Sequence, residues 1–235
     1  MSLGPPPTAE WETNRGGTVR PLRDMIRILE PGSKMEQPTR VLLLRHAETA
    51  APELFHGAES DIGLGPRGRL QAEAVARPLA ALRPEALYCS AMRRAVETAG
   101  PIGRACGLVP QLVAALHERR MGPLSGQSIV QGMDAYDEAR GRWMAGDLDA
   151  THEGGESYAD VRRRAVPAFE ALAVRHPGRT IVVVAHGFVI RVLLTTLLDG
   201  YGPEHFQAIA IPNAVFNDLR HDGTRWHAEA LAAPV

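Results

Sequence analysis

Short continuous apolar runs alternate along the chain with longer stretches whose apolar positions recur at helical spacing, and these two patterns predict strands and helices in turn. Val41 to Leu44 is an apolar run of strand length that ends in charge at Arg45, as expected of a strand buried on both faces. Pro66 to Leu82 places Leu70, Ala74, Val75 and Leu79 near helical spacing, and Pro66 suits a first helical turn. Ala86 to Cys89 reads as a second short strand, Ala91 to Gly103 as a helix with Met92, Ala95, Val96 and Ala99 on one face, and Leu112 to Leu116 as a further strand. Gly126 to Gly146 carries weaker helical signals. Glu156 to His176 opens after Gly154-Gly155 and closes before Pro177-Gly178, so it predicts a helix that Pro167 kinks or breaks. Thr180 to Ala185 is the most hydrophobic strand, followed by an apolar helix over Phe188 to Leu198. Gln207 to Ile211, Val215 to Arg220 and Trp226 to Leu231, divided by Pro212-Asn213 and Asp222-Gly223, predict short antiparallel strands. Together these elements make an α/β domain with a mostly parallel sheet and an antiparallel edge.

The N-terminal part breaks this rhythm. Residues 1–39 hold Pro5, Pro6, Pro7, Pro21, Pro31 and Pro38 with Gly16, Gly17 and Gly32, a density that leaves little periodic pattern. We expect a Pro/Gly-rich extension over 1–39 and one compact domain over 40–235, which fits 235 residues at 45% apolar and 23% charged content. With 26 Lys plus Arg against 27 Asp plus Glu, bulk electrostatics does not favour a polyanion, so no nucleic-acid partner is expected. No stretch approaches the roughly 20 apolar residues of a membrane span, and no secretory apolar segment opens the chain. Cys89 and Cys106 lack metal or disulfide spacing and read as free thiols; a cytoplasmic location is the expectation.

Arg45-His46, Arg94 and His186 each fall just after a predicted strand. In open α/β sheets the carboxyl ends of the strands form the ligand crevice, so residues remote in sequence converge there. Two arginines and two histidines in one pocket supply positive charge and planar forks of donors that suit phosphate oxygens. A neutral imidazole is also the side chain best able to accept a phosphoryl group near neutral pH. An alkoxide leaving group then needs a proton, and Glu118, in a Gly-flanked loop past Leu116, is the best-placed carboxylic acid, although beside Arg119 and Arg120 it reads equally as a solvated ion pair. Arg162, Arg163 and Arg164 read as a solvated helix face with no role. His56, His117, His152, His176, His205, His221 and His227 show no metal-ligand spacing, so neither metal nor cofactor is expected.

These segments carry a specific resemblance. Leu43-Leu44-Arg45-His46-Ala47-Glu48-Thr49 resembles the Arg-His-Gly-Glu-Thr signature of the histidine phosphatase, or phosphoglycerate mutase-like, superfamily. Ser90 to Ala99 is similar to its Ser-x-x-x-Arg-Ala-x-x-Thr-Ala element, Leu116 to Gly122 with Gly126 to its Leu-x-Glu block, Gly154 to Arg164 to a block at a helix start, and Val184-Ala185-His186-Gly187 with Ile190-Arg191 to its second histidine element. The resemblance implies a three-layer αβα sandwich. It implies a metal-independent phosphomonoester hydrolase in which His46 is phosphorylated, Glu118 donates the proton, Arg45, Arg94, His186 and Gly187 bind phosphate, and the substrate is a small phosphorylated metabolite. It also makes a homodimer a candidate assembly. A phosphoglycerate mutase, whose stretch between acid and second histidine is longer than that from Glu118 to His186, is the second reading, and a phosphate-binding scaffold the third. The chain departs from the pattern at Ala47, at Pro52 where many members have asparagine, and in the short His56 to Asp61 loop with Gly63-Leu64-Gly65, which bears on substrate contacts.

Overall fold

The computed structural model describes residues 37–233. The extension expected over 1–39 therefore lies almost wholly outside the described residues. Strands β1 (Thr39–Arg45), β2 (Ala86–Cys89), β3 (Gln111–Leu112), β4 (Thr180–Ala185), β5 (Phe216–His221) and β6 (Trp226–Ala233) form one sheet in the order β3-β2-β4-β1-β5-β6. The first four are mutually parallel, while β5 and β6 run antiparallel at one edge.

Strand pleating sorts each central strand between two cores. Val41 and Leu43 of β1, Tyr88 of β2, and Ile181, Val183 and Ala185 of β4 share one apolar cluster with Trp143, Phe169 and Leu193. Leu42, Leu44, Leu87, Cys89, Val182 and Val184 pack on the other side, with Leu79 and Ile102. Helices α1 (Pro66–Ala81) and α2 (Arg93–Cys106) thus cover one face, and α3 (Ile129–Met144), α4 (Tyr158–Val174) and α5 (Gly187–Leu197) supply the other layer. This is the three-layer sandwich. Burial on both faces explains why β1 and β4 are continuous apolar runs: each Leu or Val removed from water contributes about 1.5–3 kcal/mol.

Several expectations need correction. Leu112 to Leu116 is not a strand: β3 ends at Leu112, Val113 N–H donates to the Cys89 carbonyl at 2.8 Å, and Ala114–Leu116 forms a 3-10 turn. Gln207 to Ile211 is not a strand either, because its carbonyls serve side chains instead of a ladder. Ile209 O accepts from Arg191 Nε at 3.2 Å and Ile211 O from an Arg45 terminal nitrogen at 2.8 Å. Helix α4 runs through Pro167, which lies on its exposed side where the carbonyl left without a partner meets water. Its N-terminus is set by Ser157, whose hydroxyl accepts from Asp160 N–H at 3.1 Å while the Asp160 carboxylate accepts from Ser157 N–H at 3.0 Å, a reciprocal capping box. Helix α2 continues past Gly103 to Cys106 and stops at Gly107, whose φ of +68° suits a left-handed C-terminal residue.

Candidate active site

The register of two parallel strands builds the centre of the site. Arg45 of β1 lies opposite Ala185 of β4, so the next residues, His46 and His186, emerge side by side, and His46 N–H donates to Ala185 O at 2.9 Å. Their rings stand 5.1 Å apart between centroids. Strand β2 pairs with β4 through Cys89 and Val184, which brings the first turn of α2, and with it Arg94, against the same strand ends. The crevice predicted from the strand termini is therefore present.

Hydrogen bonds give the two imidazoles opposite roles. His46 Nδ1 lies 2.7 Å from its neighbour's carbonyl, Ala47 O, which can only accept, so Nδ1 carries the proton and Nε2 keeps its lone pair. Arg94 Nε donates to His186 Nδ1 at 3.2 Å, so the His186 proton sits on Nε2, a buried donor with no partner among the described residues. Burial, then the charges of Arg94 and Arg45, hold the His46 imidazole well below its usual range. Burial and Arg94, with His46 next, do the same to His186. Both are neutral at pH 7 in the free protein.

A cavity of about 240 Å³ opens on His46, lined at this end by Arg45, Gly187, Glu118 and Asn213. Gly187 begins α5, whose N-terminal amides face an anion favourably. Asn213 Nδ2 donates to His46 O at 2.8 Å and fixes the loop beneath it. Arg94 and His186 stand behind this wall, fully buried. The Arg94 guanidinium also donates to Ser60 O at 2.8 Å and His56 O at 3.3 Å, tying down the loop that departs from the family pattern. That loop still contributes Pro52, Leu54, Phe55 and His56 to the cavity.

Glu118 is not a solvated ion pair. Its carboxylate accepts from Arg119 N–H at 2.9 Å and Phe188 N–H at 3.4 Å, at the N-terminus of α5. The backbone leading to it is gripped by Arg164, which donates to Ala115 O at 2.7 Å, His117 O at 2.8 Å and Glu118 O at 3.2 Å. Arg164 is itself held by both oxygens of Glu156, each at 2.9 Å. The reading of Arg164 as a solvated residue without a role is corrected here: about two helical turns beyond the Ser157 cap of α4, it points back under the loop. The basic run Arg162-Arg163-Arg164 hid it, since only burial separates it from its neighbours.

Sequence reasoning also missed Arg119, Arg191 and Tyr136, which line the same cavity. No sequence signal marks Tyr136, in a weakly helical stretch. Arg191 stood in a recognised motif without an assigned function, and Arg119 was taken for a surface neighbour of Glu118. Among the described residues no cluster of three or more His, Cys, Asp or Glu side chains is arranged to hold a metal ion, and no helix is long and apolar enough to cross a membrane.

A doubly layered parallel sheet whose strand ends gather arginines, neutral histidines and a carboxylate around a small cavity defines an enzyme that acts on phosphate esters. The chain belongs to the histidine phosphatase superfamily, branch 1, whose model matches residues 41–234. It is 35% identical over 162 residues to a metal-independent phosphoserine phosphatase of Arabidopsis thaliana, covering 66% of this chain and 67% of the relative. It is 34% identical over 164 residues to a bifunctional protein of Mycobacterium tuberculosis, covering 69% of this chain and spanning 45% of that protein's length. The solved structure of a mycobacterial glucosyl-3-phosphoglycerate phosphatase superposes with a TM-score of 0.73 at 30% identity, over 84% of this chain and 100% of that one. The protein is a phosphatase.

Proposed function

We propose that this phosphatase works in two steps through His46. In the first, His46 Nε2 attacks phosphorus, the bond to the ester oxygen breaks, and the departing oxygen takes its proton from Glu118. In the second, the Glu118 carboxylate takes a proton from water, whose oxygen attacks phosphorus and breaks the P–N bond, releasing inorganic phosphate and restoring His46. Arg45, the His186 Nε2 proton and the amides at Gly187 face the phosphoryl oxygens, with Arg94 supplying charge behind both histidines. No metal ion is called for in this scheme, because these groups meet the developing charge. The observation that carries the reading is the Nδ1 hydrogen bond to Ala47 O, which leaves Nε2 of a neutral, buried imidazole as the free lone pair beside the cavity.

The cavity of about 240 Å³, bounded by Arg45, Glu118, Arg119 and Arg191, suits a small phosphorylated metabolite. Phosphoserine and glucosyl-3-phosphoglycerate, named for the relatives, are the first candidates. The free thiols of Cys89 and Cys106 suit a reducing, cytoplasmic setting.

The test is release of phosphate from p-nitrophenyl phosphate with chelator present, together with quenched-flow capture of an acid-labile 32P label. We expect wild-type protein to do both and His46→Ala neither. Full turnover by His46→Ala would overturn the assignment.

A further inference from the structure

The carbonyl that fixes the His46 tautomer belongs to the peptide joining Ala47 to Glu48, and a side chain outside the cavity holds the other end of that peptide. His46 Nδ1 donates to Ala47 O at 2.7 Å, while the Glu48 N–H of the same peptide donates to Gln71 Oε1 at 2.9 Å. An N–H can only donate, so the Gln71 amide presents its oxygen here. The preceding peptide is held from a second helix: Ala47 N–H donates to Thr98 Oγ1 at 3.0 Å, and the Thr98 hydroxyl donates to Arg94 O at 2.7 Å. Ala47, itself fully buried, is thus gripped from α1 and α2 at once.

Close packing lets α1 reach so far. A Cβ at Gly68 would overlap the Glu48 carbonyl oxygen, and Gly65 N–H, at the start of the helix, donates to that oxygen at 3.1 Å. Gln71 follows Gly68 by three residues, on the same helix face, and so meets the Glu48 amide. No carboxylate is hydrogen-bonded to the His46 ring among the described residues. A neutral peptide stands where an acidic partner orients the imidazole of a catalytic triad. A peptide that donates through its N–H accepts more strongly at its carbonyl, because both bonds polarise one amide. When Nε2 attacks phosphorus the ring gains positive charge and Nδ1–H becomes a stronger donor, so the bond to Ala47 O tightens in the transition state.

We infer that Gln71 is a positioning residue for the nucleophile: by holding the Glu48 N–H it keeps Ala47 O on Nδ1 of His46, and with it the Nε2 lone pair turned to the cavity. Gln71 is not among the residues that line the cavity and acts only through the 47–48 peptide. The inference rests on the proposed function in taking Nε2 as the attacking atom. Sequence pattern does not mark Gln71, since a glutamine between the apolar positions of a helix reads as solvent-facing.

Gln71→Met keeps the length and helix propensity of the side chain but removes the acceptor, whereas Gln71→Glu keeps an acceptor. With enzyme in excess over p-nitrophenyl phosphate, whose leaving group needs little help from a proton, single-turnover release of p-nitrophenolate reads the transfer to His46 alone. We expect Gln71→Met to slow this step about tenfold, the size of one neutral hydrogen bond, and Gln71→Glu to stay within about threefold of wild type. Calorimetric affinity of Gln71→Met for inorganic phosphate should also stay within about threefold of wild type, whereas a general disturbance of the site would weaken it in step with the rate. The ring itself is read without turnover by 15N NMR of histidine-labelled protein, with His46 assigned by its loss in His46→Ala. Wild-type protein should show the Nδ1–H tautomer, and Gln71→Met a mixture with the Nε2–H form. An unchanged rate or an unmixed Nδ1–H tautomer in Gln71→Met, a Gln71→Glu variant as slow as Gln71→Met, or phosphate affinity that falls as far as the rate, would each overturn the inference. Should Gln71→Met fail to fold, Gln71→Lys, which offers donors only, is judged by the same measures. Failure of the phosphohistidine scheme shows separately, as turnover retained by His46→Ala, and leaves the tautomer comparison standing on its own.

Discussion

At Glu118 the chemistry and the leaving group can be separated. A p-nitrophenolate departs with little help, whereas an alkoxide needs its proton at the moment the P–O bond breaks. Glu118→Gln keeps the size of the side chain and an acceptor for one of the two amides, Arg119 N–H or Phe188 N–H, but cannot give a proton. We therefore expect it to lose about 10²–10⁴ in kcat on an alkyl phosphate, and far less on p-nitrophenyl phosphate, in a side-by-side steady-state assay. Equal losses on both esters would show that Glu118 only shapes the site. His46 and Arg94 were legible as residues from their place after strands. The sequence could not say which imidazole nitrogen is free, because that depends on the carbonyl of Ala47 and on an arginine 92 positions away from His186.

Among the elements, the junction between α4 and the 115–118 backbone matters most. The Glu156–Arg164 pair is bidentate and its carboxylate is nearly buried, and Arg120 N–H adds a third hydrogen bond to Glu156 at 2.9 Å. Cutting it with Arg164→Met strips the donors from three carbonyls and leaves Glu156 without its cation. Removing one partner of such a pair costs on the order of 1–3 kcal/mol, which chemical denaturation would register. As a positioning residue Arg164 acts through Glu118, so the variant should also lose about tenfold or more in kcat on alkyl phosphates, as expected for a misplaced reacting group, with p-nitrophenyl phosphate less affected. A stability loss with no change in leaving-group sensitivity would limit Arg164 to the fold. The central elements follow from sequence because their patterns are local: β2 and β4 have the predicted bounds, and β1 differs only by including Thr39, Arg40 and Arg45. The failures at 112–116 and 207–211 are tertiary. There, Leu116, Ile209 and Ile211 are buried without a ladder, and the backbone groups around them satisfy a 3-10 turn in one case and two arginines in the other.

For the whole molecule, buried neutral histidines tie stability to pH. His46 and His186 are held well below their usual value, chiefly by burial, and burial lowers His56, His117, His152, His176 and His221 in the same direction. Below about pH 6.5 the unfolded chain takes up protons that the folded protein refuses, so stability falls as the pH drops through that value. Above it neither state binds these protons, and their contribution is flat. Each of His46 and His186 should remove roughly 1 kcal/mol per pH unit over the window between its unfolded and folded pKa. Urea titrations of the phosphate-free protein at pH 7.5, 6.5 and 5.5 should show little change over the first step and a marked fall over the second, with the fall reduced in His46→Ala. A flat profile would mean that the two imidazoles are not held neutral.

What the sequence determined by itself was the alternation of strand and helix, the α/β class with its mostly parallel sheet, and the residues placed after β1, β2 and β4, because hydrophobic period and strand termini are properties of neighbouring positions. Family membership was written in blocks of adjacent residues for the same reason. Tertiary structure alone decided the rest: the parallel register that sets His46 beside His186, the anchoring of Arg94 to a loop, the grip of Arg164 on the Glu118 backbone, and the hold of Gln71 on the peptide beside His46. Charge, burial and hydrogen-bond satisfaction are relations between distant segments. Identical arginines at 162, 163 and 164 differ only in what the folded chain brings to meet them.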